Sequence, residues 1–145
     1  METPEDRLVQ SLLDDIKSAS RQVYFGTDGA FTCFLDGRFL ERADSLSPAV
    51  DQLRYSFPNT LSTDAIRKMI PQDAGKSGEI PGSIKEDGKQ YKLLCKKFTC
   101  VVDSVCYDYL KTRYPGAGVY CSGRNKPVVF LQGEIVRAVL MPIRT

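Results

Sequence analysis

The chain of 145 residues contains no histidine. That removes the usual general base, the Ser-His and Cys-His nucleophile pairs, and the commonest metal ligand. Cysteine is left for nucleophilic work, at Cys33, Cys95, Cys100, Cys106 and Cys121. Their number is odd, no C-x-x-C pair occurs, and four of them lie in apolar or alternating surroundings where Cys acts as a small hydrophobe. Free thiols in a reducing compartment are the expectation. Cys100 or Cys106, with Lys96, Lys97 or Asp103 close by in sequence, would need an exposed, electropositive setting to react. Neither an enzyme nor a cofactor nor a metal site is expected.

A second set of residues concerns phosphate. Gly75-Lys76-Ser77 matches the end of a phosphate-binding loop, but Ile70 stands where the motif requires its first glycine. Lys85, Lys89, Lys92, Lys96 and Lys97 form a basic run with Tyr91 and Phe98 among them. Such a run is either a solvated strand face with its loop or a contact surface for nucleic acid. Lys111 and Arg113 on a helix, and Arg124 in a turn, would extend the second reading to double-stranded DNA. The net charge of +2, from 20 basic and 18 acidic residues, is too even to name a partner alone.

These residues need elements to position them. Hydrophobic residues at 42% and charged residues at 26% describe one ordinary globular domain over 1–145. No apolar run approaches the roughly 18 residues of a membrane span. Met-Glu-Thr-Pro-Glu-Asp has neither the basic nor the apolar region of a signal peptide, so a cytoplasmic location without membrane contact is expected.

The first element is a helix, capped by Thr3, with Pro4 at its first position and Glu5 and Asp6 at its positive end. Leu8, Val9, Leu12, Leu13 and Ile16 make its apolar stripe. The period then changes to two. Strands are expected at Val23 to Gly26, Ala30 to Leu35 and Arg38 to Ala43, with turns at Thr27-Asp28-Gly29 and Asp36-Gly37. Short helices follow at Ser47 to Leu53, ended by Phe57-Pro58-Asn59, and at Asp64 to Ile70, capped by Ser62 or Thr63. Residues 71 to 90, rich in glycine, proline and charge, read as an exposed connection with at most one short strand. Tyr91 to Val102 reads as a strand broken near Lys96-Lys97. A helix from Val105 to Tyr114 and strands at Gly118 to Ser122, Pro127 to Leu131 and Glu134 to Ile143 complete the chain.

The two ends repeat each other. When Val23-Tyr24 is placed on Val119-Tyr120, Phe34-Leu35-Asp36-Gly37 falls on Phe130-Leu131-Gln132-Gly133, and Phe39-Leu40 on Ile135-Val136. The expected fold is therefore α+β, built from two helix plus three-strand antiparallel meander repeats. The first covers about 3–45 and the second about 91–145, with an irregular connection over about 46–90.

The end of the chain resembles the last domain of the bacterial DNA sliding clamp, the beta subunit of the replicative polymerase. The residues concerned are Phe98-Thr99-Cys100-Val101-Val102, Tyr109-Leu110, Lys126-Pro127-Val128-Val129-Phe130 and Ala138-Val139-Leu140-Met141-Pro142-Ile143-Arg144. Phe57-Pro58 and Ile70-Pro71-Gln72-Asp73 are a thinner echo. The resemblance implies a clamp-like, non-catalytic replication accessory or processivity factor. Val139, Met141, Pro142, Ile143 and Arg144 would help capture hydrophobic polymerase-tail peptides. Two departures stand beside it. A clamp chain carries several such domains where this one has a single domain's worth, so it must assemble as a homo-oligomer, be part of something longer, or use the fold without encircling DNA. The first helix also carries Glu5, Asp6, Asp14 and Asp15 against Arg7 and Lys17, unlike a basic clamp lining. The alternative implied is an interaction or inhibitor domain, of phage or mobile-element type.

Overall fold

Helix α1 (Pro4–Lys17) starts where the side-chain chemistry dictates. Thr3 Oγ1 accepts the Asp6 N–H and Asp6 Oδ2 accepts the Thr3 N–H, both at 3.1 Å, a reciprocal capping box. Asp6 thus closes the cap as well as meeting the macrodipole. Leu8 and Leu12 are fully buried, with Val9, Leu13 and Ile16 packed beside them. The computed structural model describes residues 2–18, 24–27, 29–34, 38–57, 59–60 and 62–145.

A meander follows, with β1 (Tyr24–Thr27), β2 (Phe31–Phe34) and β3 (Phe39–Arg42). The expected Asp36-Gly37 turn lies outside the described residues, as do Val23, Asp28, Leu35 and Pro58 of the other expected elements. Next come α2 (Pro48–Asp51), a 3-10 turn over Gln52–Ser56, β4 (Asn59–Thr60) and α3 (Thr63–Met69), which Ser62 caps through the Ala65 N–H at 3.2 Å. The second half holds β5 (Ser83–Asp87), β6 (Gln90–Leu94), β7 (Thr99–Asp103), α4 (Ser104–Arg113), β8 (Gly118–Cys121), β9 (Val128–Gln132) and β10 (Ile135–Leu140). Asp103 caps α4, accepting the Val105 and Cys106 N–H groups at 2.8 and 3.1 Å.

The strands form a seven-stranded sheet, ordered β4-β1-β2-β3-β10-β9-β8, and a three-stranded sheet, β5-β6-β7. All pairings are antiparallel except β1 with β4. The two meanders meet at β3 and β10, where Ala138, Val139 and Leu140 lie opposite Glu41, Leu40 and Phe39.

Alternation along this seam sends side chains to two faces. Phe39, Ala138 and Leu140 join the main core with Leu8 and Leu12 of α1 and with Tyr109 and Leu110 of α4. Leu40 and Val139 face the other way, toward Phe31 and toward Ile66 of α3. An irregularity between Val136 and Ala138 leaves Arg137 extra, so Val136 and Val139 share the α3 face despite odd spacing. The smaller sheet adds Leu93, Cys100 and Val102 to the main core. Among the described residues no helix is long and apolar enough to cross a membrane.

Three expectations need correction. The break near Lys96-Lys97 is a hairpin turn: Cys95 N–H donates to Phe98 O at 3.0 Å, and β6 and β7 pair side by side. The connection over 71–90 is not simply exposed. Gly75 is buried at φ +78°, and a Cβ there would meet Val129 Cβ at 2.7 Å. The final strand stops at Leu140, before Pro142, which has no N–H to offer a ladder. Beyond it, Met141 N–H donates to Arg38 O and Ile143 N–H to Val101 O, so the tail crosses from the larger sheet to the outer edge of β7.

Candidate functional site

The tail residues divide by environment. Val139 is fully buried between Leu40 and Ile66, and Met141 packs on the same cluster. Pro142 and Ile143 are half-buried, while Arg144 is exposed. Thr145 is tied down by Arg124 Nε at 2.9 Å and by Asn125 Oδ1, which accepts its N–H at 3.0 Å. Continuous with this apolar cluster is a cleft of about 370 Å³, floored by Phe31, Ile70, Ile135 and Val136 and rimmed by Arg42, Asp44, Glu134 and Arg137. Ile135 is 44% exposed. Arg42 lies over the Phe31 ring at 5.6 Å and pairs with Asp44 at 3.6 Å, fixing one wall. An apolar floor inside a charged rim suits an apolar peptide side chain. Sequence reasoning placed the site at the terminal residues and missed this cleft, whose members come from four segments.

The basic residues come from β5, β6, α4 and three turns. Lys85 and Lys92 lie directly opposite each other on β5 and β6. Lys92 pairs with Asp87 at 3.4 Å. Lys89 is in the turn at one end of β6 and Lys96 and Lys97 are in the turn at the other, about 20 Å away along the strand. Lys111 is exposed on α4, but Arg113 donates to Ser45 O and lies 3.9 Å from Glu41, and Arg124 is held by Thr145. Lys76 pairs with Glu134, and Asp73 accepts the Gly75 N–H at 2.9 Å, so this loop serves its own carboxylate.

Among the described residues the most perturbed carboxyl is Glu41, which the sequence reading passed over. It is fully buried on β3. Tyr109 donates to it at 2.7 Å, and Tyr114 donates to its second oxygen. Burial raises its carboxyl to about 7, against the lowering pull of the two phenols and Arg113. Both phenols are pushed up in turn, first by burial and then by the carboxylate. Beside this group, Thr3, Pro4, Glu5, Tyr109, Thr112 and Arg113 line a second cleft of about 370 Å³, and Glu5 accepts the Ser47 hydroxyl at 2.6 Å. Glu41 has an acid–base group's affinity for protons but no solvent access. Its geometry is that of a polar lock between β3 and the end of α4.

Thiol chemistry at Cys106 is disfavoured by the same logic. The side chain is fully buried, and burial pushes its thiol well above the ordinary range. Among the described residues no group of three or more Cys, Asp or Glu side chains is placed to hold a metal ion. No family model, curated protein or solved structure matches this chain.

Proposed function

We propose that this chain is a non-catalytic, sliding-clamp-like replication accessory domain that works by holding protein partners. The observation carrying the reading is the seam between β3 and β10. Each side of it is a three-strand meander with its own long helix, and α1 and α4 contribute to one core against the same sheet face. This arrangement supports the two helix-and-meander plan that the resemblance implies. The partner would be a short hydrophobic peptide of the polymerase-tail type. Its apolar side chains would enter the cleft at Phe31, Ile70, Ile135 and Val136, with Met141 close behind in the same cluster. Anisotropy of a labelled polymerase-tail peptide tests this. Ile135→Glu, at an exposed position, should weaken binding about tenfold or more without lowering the melting temperature. Equal binding by both proteins would remove the cleft from the reading.

A second reading, an interaction or inhibitor domain of phage or mobile-element type that does not encircle DNA, is favoured by charge. Helix α1 carries four acidic residues against two basic ones, and Arg113 and Arg124 are engaged internally. This reading predicts peptide or protein binding with no salt-sensitive affinity for double-stranded DNA.

A further inference from the structure

Three thiols from three segments converge where the two sheets approach each other. Cys100 lies on β7 opposite Leu93 and faces the main core. Cys121 ends β8 and is buried in that core, while Cys95, in the turn after β6, is half-buried against it. The thiols of Cys100 and Cys95, together with burial, push the Cys121 thiol up. Glu79 ties the arrangement together independently. Its N–H donates to Cys121 O at 2.8 Å, its carbonyl accepts the Cys121 N–H at 2.7 Å, and its carboxylate accepts the N–H of Lys96, next to Cys95, at 3.3 Å. Cys100 Sγ donates to Lys126 O at 3.7 Å, so its thiol is engaged inside the core. The thiols of Cys95, Cys100 and Cys121 are all free.

We propose that Cys95 and Cys121 form a thiol–disulfide modification site, closed by exchange with a low-molecular-weight disulfide. Cys95 is the point of entry because it alone of the three reaches solvent appreciably. Its thiolate attacks the reagent disulfide, whose S–S bond breaks; a mixed disulfide forms and one small thiolate leaves and takes up a proton. Cys121 then gives up its proton and attacks the Cys95 sulfur, and the second small thiol departs. Two protein thiols have lost two electrons, the reagent has gained them, and the two protons leave on the released thiols. The new bond joins the turn after β6 to the edge strand β8, sheet to sheet.

Burial, with Glu79 adding to it, raises the Cys95 thiol above its ordinary value. Entry is therefore slow near neutral pH and accelerates in alkaline solution. The redox state would set how firmly the smaller sheet is held to the larger one.

The test uses the full chain carrying Cys33→Ser, treated with oxidised glutathione at pH 8, then thiol counting, intact mass and non-reducing tryptic mapping. Two thiols should be lost, no glutathione retained, and peptide Leu93–Lys96 found joined to Tyr114–Arg124. Cys100 and Cys106 lie on a different tryptic peptide, Phe98–Lys111, so the map distinguishes the pairs. Cys106→Ser should close as the parent does, and Cys95→Ser should not close. A stable glutathione adduct on Cys95 would overturn the proposal. So would a link to Phe98–Lys111 formed equally in Cys95→Ser, or a folded chain that stays reduced while the unfolded chain oxidises.

Discussion

Glu41 is fully buried between the hydroxyls of Tyr109 and Tyr114, and its carboxyl titrates near 7 where an ordinary glutamate titrates near 4.5. Below about 4.5 the group is protonated in folded and unfolded chains alike, so it has no effect on the balance. Between 4.5 and 7 the unfolded chain releases the proton while the folded chain keeps it. Stability must therefore fall as pH rises through that window and level off above it, by about 3 kcal/mol in all. With no histidine in the chain, few other groups titrate there. Urea denaturation at pH 5, 6, 7 and 8 should give falling midpoints for the parent and a flatter profile for Glu41→Gln, whose amide still accepts a phenol proton. An unchanged slope in the variant would place the titration elsewhere. Glu41→Ala should be worse than Glu41→Gln at pH 5, because it strands two buried hydroxyls. The sequence did carry a signal for this residue. Phe39 and Glu41 are two apart on one strand, so alternation sends both inward. Its two hydroxyl partners, far along the chain, were beyond any local pattern.

Among elements, the segment leading to β5 shows how a sequence rich in glycine can be fixed in place. Gly75 has φ +78°, a region unfavourable to residues with a Cβ, and its backbone lies against Val129 on the middle strand of the second meander. Gly75→Ala should cost about 2 kcal/mol or more through backbone strain and contact with Val129. A thermal melt checks this; Gly88→Ala serves as the comparison, since its φ is also positive but its surroundings are open. Equal losses in both would mean that conformation alone decides, and the seat on Val129 would lose its importance. The capped helices and the meanders were legible because Thr3, Ser62, Asp103 and the Gln132-Gly133 turn are local signals. The β6–β7 hairpin was not. Its turn, Cys95-Lys96-Lys97-Phe98, contains no glycine, proline or asparagine, so the sequence reads as one strand with a break there and not as two paired strands. Likewise, the cleft beside Ile135 depends on the extra residue at Arg137, which periodicity reads as ordinary strand.

At the scale of the whole molecule, sheet edges and helix charge bear on whether copies of this chain could join around DNA. The outer edge of β8 is occupied by Glu79, and that of β7 by Ile143. β5 pairs with β6 alone, and all five of its residues are exposed, Lys85, Glu86 and Asp87 among them. Charges on an edge strand discourage pairing with another chain. Neither long helix supplies a basic lining: α1 is acidic on balance, and on α4 Arg113 is turned toward Glu41 and Ser45. The meeting of β3 with β10 could be guessed from the internal repeat but not read, because strands so far apart in sequence leave no local mark of their pairing. Edges and linings were still less legible, since they depend on which surfaces remain after packing. Light scattering across a concentration series should therefore find single chains. Binding to duplex DNA should be weak at physiological salt, with a shallow salt slope, because Lys92, Arg113 and Arg124 are engaged within the chain and α1 is acidic on balance. A closed assembly near six chains, with DNA affinity falling steeply as salt rises, would reverse this and make encirclement the working function. Single chains that still hold a hydrophobic peptide at Ile135 would support protein capture, the function proposed above, without encirclement.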